Sequence, residues 1–467
     1  MKSKLYIKFG LVVLTSLTVL SCEDFLDIDA PRHKIVSETV FSEDQTAISA
    51  MMGIYNELFR AAYSGGWENS VTVLSGLSSD NLKTLRDNDL SLREFSENNI
   101  QPSNDRNLNL WSSAYNIIYM TNSLLEGVET SEKLTEEVRN SLEGEGKFIR
   151  AFTYFYLVNL YGEVPLVLTT DYRENSLAGR DSSTEIYEQI IADLTDATEL
   201  LGDNYRNNDR TSVNRFTALA LLARVHLYLE NWEEADLASS QVISNTGQYE
   251  ILEDLNQVFL VNSKEAIWQI SPIGRGGPLG FTNEGSIFLF LSFAPNFTKV
   301  SLTDGLVETF EQEDLRLQNW IGFNEATSNY FPYKYKDRRS FREILEYSMV
   351  LRLAEQHLIR AEARAMRGNL LEAIEDLDIL RERAGLPLLS ESNAGVNKEE
   401  FLDFILEERR KELFAEWGHR WLDLKRKNKA SDFLSPNSSD WENTDVLYPI
   451  PAQERMKNTN LDQNPGY

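Results

Sequence analysis

From Leu351 to Ala384 apolar and charged positions follow one another with a helical period. Ala354, Leu358, Ala361 and Ala365 fall at i, i+4, i+7 and i+11, one face of a 3.6-residue helix. Gly368-Asn369 interrupts the pattern. Glycine suits the left-handed position after a helix, and asparagine suits an N-cap. Glu372 stands at capping-box spacing from Asn369, and Leu370, Ala373, Ile374, Leu377 and Leu380 line the inner face of a second helix. The stretch predicts a tight antiparallel helical hairpin. An earlier stretch repeats it, with Phe216, Ala220, Ala223 and Leu227 on the stripe, a turn at Glu230-Asn231, then Trp232, Glu234 and Ala235. Asp236 and Ser239 replace Ile374 and Leu377, so the second helices agree less well. A helix–turn–helix unit repeated with the same small residues predicts a tetratricopeptide-like array.

The remaining periodicity supplies two more pairs. Residues 44–62 carry Ile48, Met52, Tyr55 and Phe59 inward, and a partner helix resumes at Leu108 with Trp111, Tyr115, Ile118, Asn122 and Leu125. The second pair is 134–161, through Ala151, Phe155 and Val158, and 184–201, through Ile186, Ile190, Leu194, Ala197 and Leu201. Gly162 and Pro165 stop its first helix. A long helix over 398–427 closes the array. The expected fold is therefore all-α dominated: a tetratricopeptide-like array of four helical pairs with long irregular insertions and a C-terminal capping helix. A single domain spans 44–467, with scaffold at 44–62, 105–245 and 347–427 and insertions at 63–104 and 246–345. Insertions on a rigid repeat scaffold gather on one face, so ligand contacts are expected there.

Charge and the N-terminus narrow the function. A formal net charge of −27 over 467 residues argues against a nucleic-acid-binding surface and against binding an anionic membrane by charge alone. Lys2, Lys4 and Lys8 precede an apolar run from Phe9 to Leu20, too short to span a bilayer and suited to a signal peptide over 1–21. The run ends in Val19-Leu20-Ser21-Cys22, which resembles a lipobox, with Val19 where leucine is commoner. Cys22 is the only cysteine, which excludes a disulfide within one chain and makes it the expected lipidation site. Residues 22–43 then form a lipidated tether and lead-in, and Glu23-Asp24 is similar to a bacterial surface-export signal.

Candidate chemistry is sparse. His33, His226, His357 and His419 have no metal-ligand spacing, and there is no second cysteine for a zinc site. In GRGGPLG, Leu279 stands where a dinucleotide fingerprint needs its third glycine. No nucleophile elbow or Walker loop occurs. No cofactor and no metal is called for. Glu408, Glu412 and Glu416 share a helical face that could hold a catalytic row, but interleaved Arg409, Arg410, Lys411 and Arg420 favour ion pairing. Aromatic residues in the polar insertions are more informative. Trp67, after Ser64-Gly65-Gly66, and Trp320 could each pack on the C–H face of a sugar, and local loop packing accounts for them equally well. The candidate ligand-binding residues are Trp67, Asn69, Asp80, Asn81, Trp320 and Tyr330.

Six ordered segments resemble the SusD/RagB family of outer-membrane nutrient-binding lipoproteins. They are SCEDFLDIDAP (21–31), EGKFIRAFTYFYLVNLYGEVPL (145–166), SLTDGLVETFEQEDLR (301–316), LRLAEQHLIRAEARAMRGN (351–369), ILEERRKELFAEWGHRWLDLKR (405–426) and YPIPAQERMKNTNLDQNPGY (448–467). Trp417 stands before Gly418-His419-Arg420 where glutamate is common. The resemblance implies a lipid-anchored protein on the outer membrane, facing the cell exterior. It also implies a partner, a SusC-like TonB-dependent transporter, over which the protein sits as a hinged lid. The matching motifs are scaffold and carry no ligand residues across. The expected function is non-catalytic capture of oligosaccharides for that transporter. Peptide capture on the same scaffold and a helical glycoside hydrolase are the rival readings.

Overall fold

The computed structural model describes residues 37–467 apart from 87, 291–297, 393–394 and 436–440. The expected signal peptide and Cys22 lie outside the described residues. Ten helices form the scaffold: α1 (Asp44–Arg60), α2 (Asp105–Thr130), α3 (Glu136–Tyr161), α4 (Ser183–Leu200), α5 (Arg215–Tyr228), α6 (Trp232–Ile243), α7 (Leu353–Met366), α8 (Leu370–Arg383), α9 (Lys398–Leu413) and α10 (His419–Arg426). From α2 to α8 each packs on the next, and α9 covers α7, so four antiparallel pairs stack into one tetratricopeptide-like solenoid. Among the described residues no helix is long and apolar enough to cross a membrane.

Local chemistry sets the helix ends. Asn104 accepts from the Arg106 and Asn107 amides, Thr135 accepts from Val138, and Ser182 with Glu185 forms a capping box. Gly162 ends α3 at φ +73°. Gly368 turns the α7–α8 hairpin at φ +89°, and Glu230 does the same for α5–α6 at φ +58°. The capping box expected at Asn369 does not form, since Asn369 makes no side-chain cap hydrogen bond. The hairpin also starts later than its pattern implied, because Leu351 and Arg352 belong to a strand.

Polar positions inside the stack are matched across it. The Arg224 guanidinium on α5 grips the Glu355 carboxylate on α7 through Nε and Nη2, both at 2.6 Å, and donates to the Tyr156 hydroxyl on α3. Asp236, the residue that broke the repeat pattern, accepts from Arg364 and Arg367 on α7. The mismatch between the two second helices is therefore an inter-repeat tie.

Six short strands, β1 (Leu82–Thr84), β2 (Ala266–Ile270), β3 (Val300–Leu302), β4 (Ile321–Asn324), β5 (Asn329–Pro332) and β6 (Ser348–Arg352), pair as three antiparallel ribbons: β1 with β3, β2 with β6 and β4 with β5. The first ribbon joins the two insertions, with Leu82 opposite Leu302. The second lies in the core, where Trp268 meets Phe148 and Phe152 edge-on at 5.1 and 5.0 Å.

Three expectations need correction. Residues 63–104 are not irregular, for they hold a helix at Val71–Ser78, β1 and a helix at Leu90–Ser96. All eight residues of Val71–Ser78 are buried, so that helix has no polar face and shows no amphipathic period. On α1, Met51 faces the core and Met52 is exposed. The helix expected over 398–427 is two, because Ala415, Trp417 and Gly418 take positive φ of 54°, 44° and 69°. That bend delivers Trp417 into the core against Phe152 and Tyr156, with its indole N–H donating to Met349 O at 2.7 Å.

Candidate functional site

Helix α1 ends at Arg60 and the chain turns through Ser64-Gly65-Gly66 to Trp67 before Ser70 caps the next helix. Two glycines are required here. A Cβ on Gly65 would lie 2.5 Å from Phe59 O, and one on Gly66, at φ +71°, would lie 2.3 Å from the Glu284 carboxyl carbon. Gly65 N donates to Ala61 O at 2.8 Å, and Ser64 Oγ donates to Leu58 O at 2.6 Å. Asn283 Nδ2, from the second insertion, donates to Gly65 O at 2.7 Å. The turn is thus fixed from both insertions, and it holds Trp67 at 42 % exposure.

Trp67 borders an open cleft of about 490 Å³ whose polar lining is Arg60, Asn69, Arg275 and Asn283. Arg275 lies between the rings of Phe59 and Phe281, 5.3 and 4.6 Å from their centroids. Its Nη2 donates to Phe281 O at 2.9 Å and Asn283 Oδ1 at 2.8 Å. Below the turn lies Glu284, fully buried. Ser348 Oγ donates to its Oε1, and its Oε2 has no partner among the described residues. Burial pushes this carboxyl up to about 7. On the far side of Trp67, Glu68 pairs with Lys299, and Arg106 bridges to Asp89 at 2.9 Å and Glu68 at 3.6 Å.

The six candidate residues separate. Trp67 and Asn69 line this cleft together, with Asn69 Oδ1 accepting from Arg106 Nη1. Tyr330 lies on the β4–β5 ribbon, opposite Phe323 in register, with ring centroids 4.8 Å apart and Phe323 50 % exposed. Phe331 packs over Gly322 on the opposite face of the ribbon, where it meets Tyr333 at 5.9 Å and Phe290 at 5.2 Å. Because β5 packs on β3, and Lys299 just before β3 holds Glu68, the ribbon and the Trp67 turn belong to one connected insertion layer.

The other three are scaffold. Trp320 is a correction: it is fully buried, its indole N–H donates to Leu255 O at 3.0 Å, and Lys334, Arg352 and Arg383 crowd its ring at 4.7, 5.7 and 5.5 Å. Asp80 and Asn81 are held by arginines of the scaffold, and Asp80 also lines a separate cleft of about 490 Å³. The Asp80 carboxylate sits in the Arg420 fork at 2.8 and 3.0 Å with Arg410 at 2.8 Å, and buried Asn81 accepts from Arg410 Nε at 2.9 Å. Those arginines hold the Asp80 carboxyl below the ordinary carboxylate value against its burial. Arg60, Arg275 and Asn283 are the cleft residues the sequence reading missed. A charged residue inside the Gly-rich run SPIGRGGPLG was the one available signal.

The three glutamates do not share one helical face, since Glu408 and Glu412 lie on α9 and Glu416 in the bend after it, but all three are ion-paired with partners from distant segments. Glu412 meets Arg316, Arg352 and Arg383 at 3.0, 2.6 and 2.5 Å, Glu408 meets Arg316 at 2.5 Å, and Glu416 meets Arg352 at 2.8 Å and Lys334 at 2.5 Å. Burial raises the Glu412 carboxyl and the surrounding arginines more than reverse it, holding it well below its ordinary value. The row locks the second insertion to the scaffold.

Comparison with known proteins follows the same lines. A family profile described as "Starch-binding associating with outer membrane" matches residues 24–227, and one described as "SusD family" matches 330–467. A SusD-like protein P2 of Formosa agariphila is 27% identical over 98% of this chain and 99% of its own length. A SusD superfamily protein from Bacteroides vulgatus shares the fold at a TM-score of 0.78 and 21% identity, covering 92% of this chain and 100% of that one. A laminarin binding SusD-like protein does so at 0.76 and 24%, covering 91% of this chain and 99% of that one. With the solenoid, the ordered motifs and both family profiles in agreement, this chain belongs to the SusD/RagB family.

Proposed function

We propose that the protein is a non-catalytic, lipid-anchored receptor on the cell exterior that captures oligosaccharides and passes them to a SusC-like TonB-dependent transporter. The observation that carries the reading is Trp67, a large apolar ring held exposed on a locked turn at the rim of a polar cleft. A ring already fixed in place loses little entropy on binding, and its face matches the C–H surface of a pyranose. Asn69, Asn283 and the two arginines supply amide and guanidinium groups for hydroxyls. The family description as starch-binding and the laminarin-binding structural neighbour support a glycan ligand. The family's outer-membrane association and the position of Cys22 after its apolar run support the anchor.

The test is a glycan array probed with mature protein, repeated with Trp67→Ala. Retention of at least one oligosaccharide class, weakened roughly tenfold by the substitution, is expected. No bound glycan, or an unaffected Trp67→Ala protein, would refute the reading, and peptides co-purifying in mass spectrometry would replace it. Co-isolation of the chain with a barrel transporter from outer membranes tests the hand-over.

A further inference from the structure

The Trp67 cleft carries a charge opposite to that of the molecule. The chain as a whole has a formal charge of −27, yet among the described residues those lining this cleft include Arg60 and Arg275 and no aspartate or glutamate. Neither arginine is neutralised by a close partner. Arg60, the last residue of α1, is 55 % exposed, and its nearest ion-pair partner is Glu57, one helical turn back at 4.0 Å. The Arg275 guanidinium is held by two aromatic rings, a carbonyl and an amide oxygen, and among the described residues no carboxylate pairs with it. The acid that acts on it electrostatically is Glu284, buried under Gly66. Glu68, beside Trp67, is engaged by Lys299 and Arg106. Gly276, next to Arg275 in the chain, lies beside Arg60, since a Cβ there would stand in ordinary contact with Arg60 Nη2 at 3.6 Å.

A neutral glycan needs donors and acceptors in balance, and asparagine supplies both. Two cations collected in an acidic protein are suited to an anion, which guanidinium groups bind through paired N–H donors. Resting on the reading of Trp67 as a glycan platform, we propose that this cleft takes an acidic sugar, a uronate or a sulfate ester, with the ring face on Trp67 and the anionic group between Arg60 and Arg275.

The experiment uses mature protein on an array with three arms: uronate oligomers, sulfated oligomers and neutral glucans. Each acidic ligand that binds is then compared by calorimetry with its carboxyl-reduced or desulfated counterpart. Hits confined to one acidic arm, at least tenfold tighter than the neutral counterpart, support the proposal and name the anion. Arg60→Gln, at an exposed position, is expected to weaken the acidic ligand roughly tenfold and its neutral counterpart much less, so that the preference for the acidic ligand narrows. Neutral glucans bound as tightly as acidic ones, or Arg60→Gln weakening both alike, would overturn the acidic-sugar assignment and leave the glycan reading intact. Absence of any glycan binding would remove both.

Discussion

Replacing Glu284 by glutamine tests whether the Trp67 turn rests on a protonated acid. The carboxyl is fully buried, receives one hydrogen bond from Ser348 and leaves Oε2 without a partner. Arg275 favours its ionised form, while its negative charge would oppose ionisation of the neighbouring Tyr335 and Glu346. Burial dominates and raises it from 4.5 to about 7. Between those values the folded protein holds a proton that the unfolded chain has released. Its contribution to stability is therefore full below pH 4.5 and is lost as pH rises through about 7. At 1.36 kcal/mol per pH unit, the loss is roughly 3 kcal/mol. Glutamine keeps the acceptor for Ser348 and cannot ionise. The stability of Glu284→Gln minus that of the native chain should be near zero at pH 5 and rise by roughly 3 kcal/mol at pH 8. Glu346, also pushed up to about 7, is present in both proteins, so most of its own titration cancels in the difference. Removing Glu284 also relieves Glu346, which adds in the same direction. Urea unfolding at a series of pH values measures this difference directly. A flat difference curve between pH 5 and 8, or a variant less stable at pH 8, would refute the reasoning.

Two further substitutions test the scaffold assignments. Glu412→Ala leaves Arg316, Arg352 and Arg383 facing one another without their shared carboxylate, and should cost about 3–5 kcal/mol in urea unfolding; a loss below 1 kcal/mol would show that the network is not coupled to folding. Trp320→Ala should cost about 3–5 kcal/mol by the same assay because a fully buried indole and its hydrogen bond are removed, and a stable variant with weakened ligand binding would restore Trp320 to the site.

The scaffold was legible because each repeat buries a stripe, and a stripe leaves a 3.6-residue period. Ala354, Leu358, Ala361 and Ala365 are all fully buried, as are Ile186, Leu194 and Ala197. Legibility failed where burial was complete or where backbone conformation overrode composition. Val71–Ser78 is buried on every side and so has no period, and the positive φ values near Trp417 break a pattern that reads as continuous helix.

The site divides in the same way. Trp67 stood out as an aromatic beside two glycines, and the structure holds it exposed on a turn that passes too close to Phe59 O and Glu284 to admit a Cβ. Trp320 looked equivalent in sequence and is core, because its environment is assembled from Leu255, Phe259, Lys334, Arg352 and Arg383. Sequence by itself determined the repeat architecture and the family, since those rest on local period and ordered motifs. Only the tertiary structure decided which polar residues line the Trp67 cleft. Asp80 and Asn81 lie more than 300 positions before the arginines that claim them, and Arg60 and Arg275 line one cleft only because α1 and the second insertion fold onto one another. Ion pairing and burial depend on distance in space, and a one-dimensional pattern carries that information only for near neighbours.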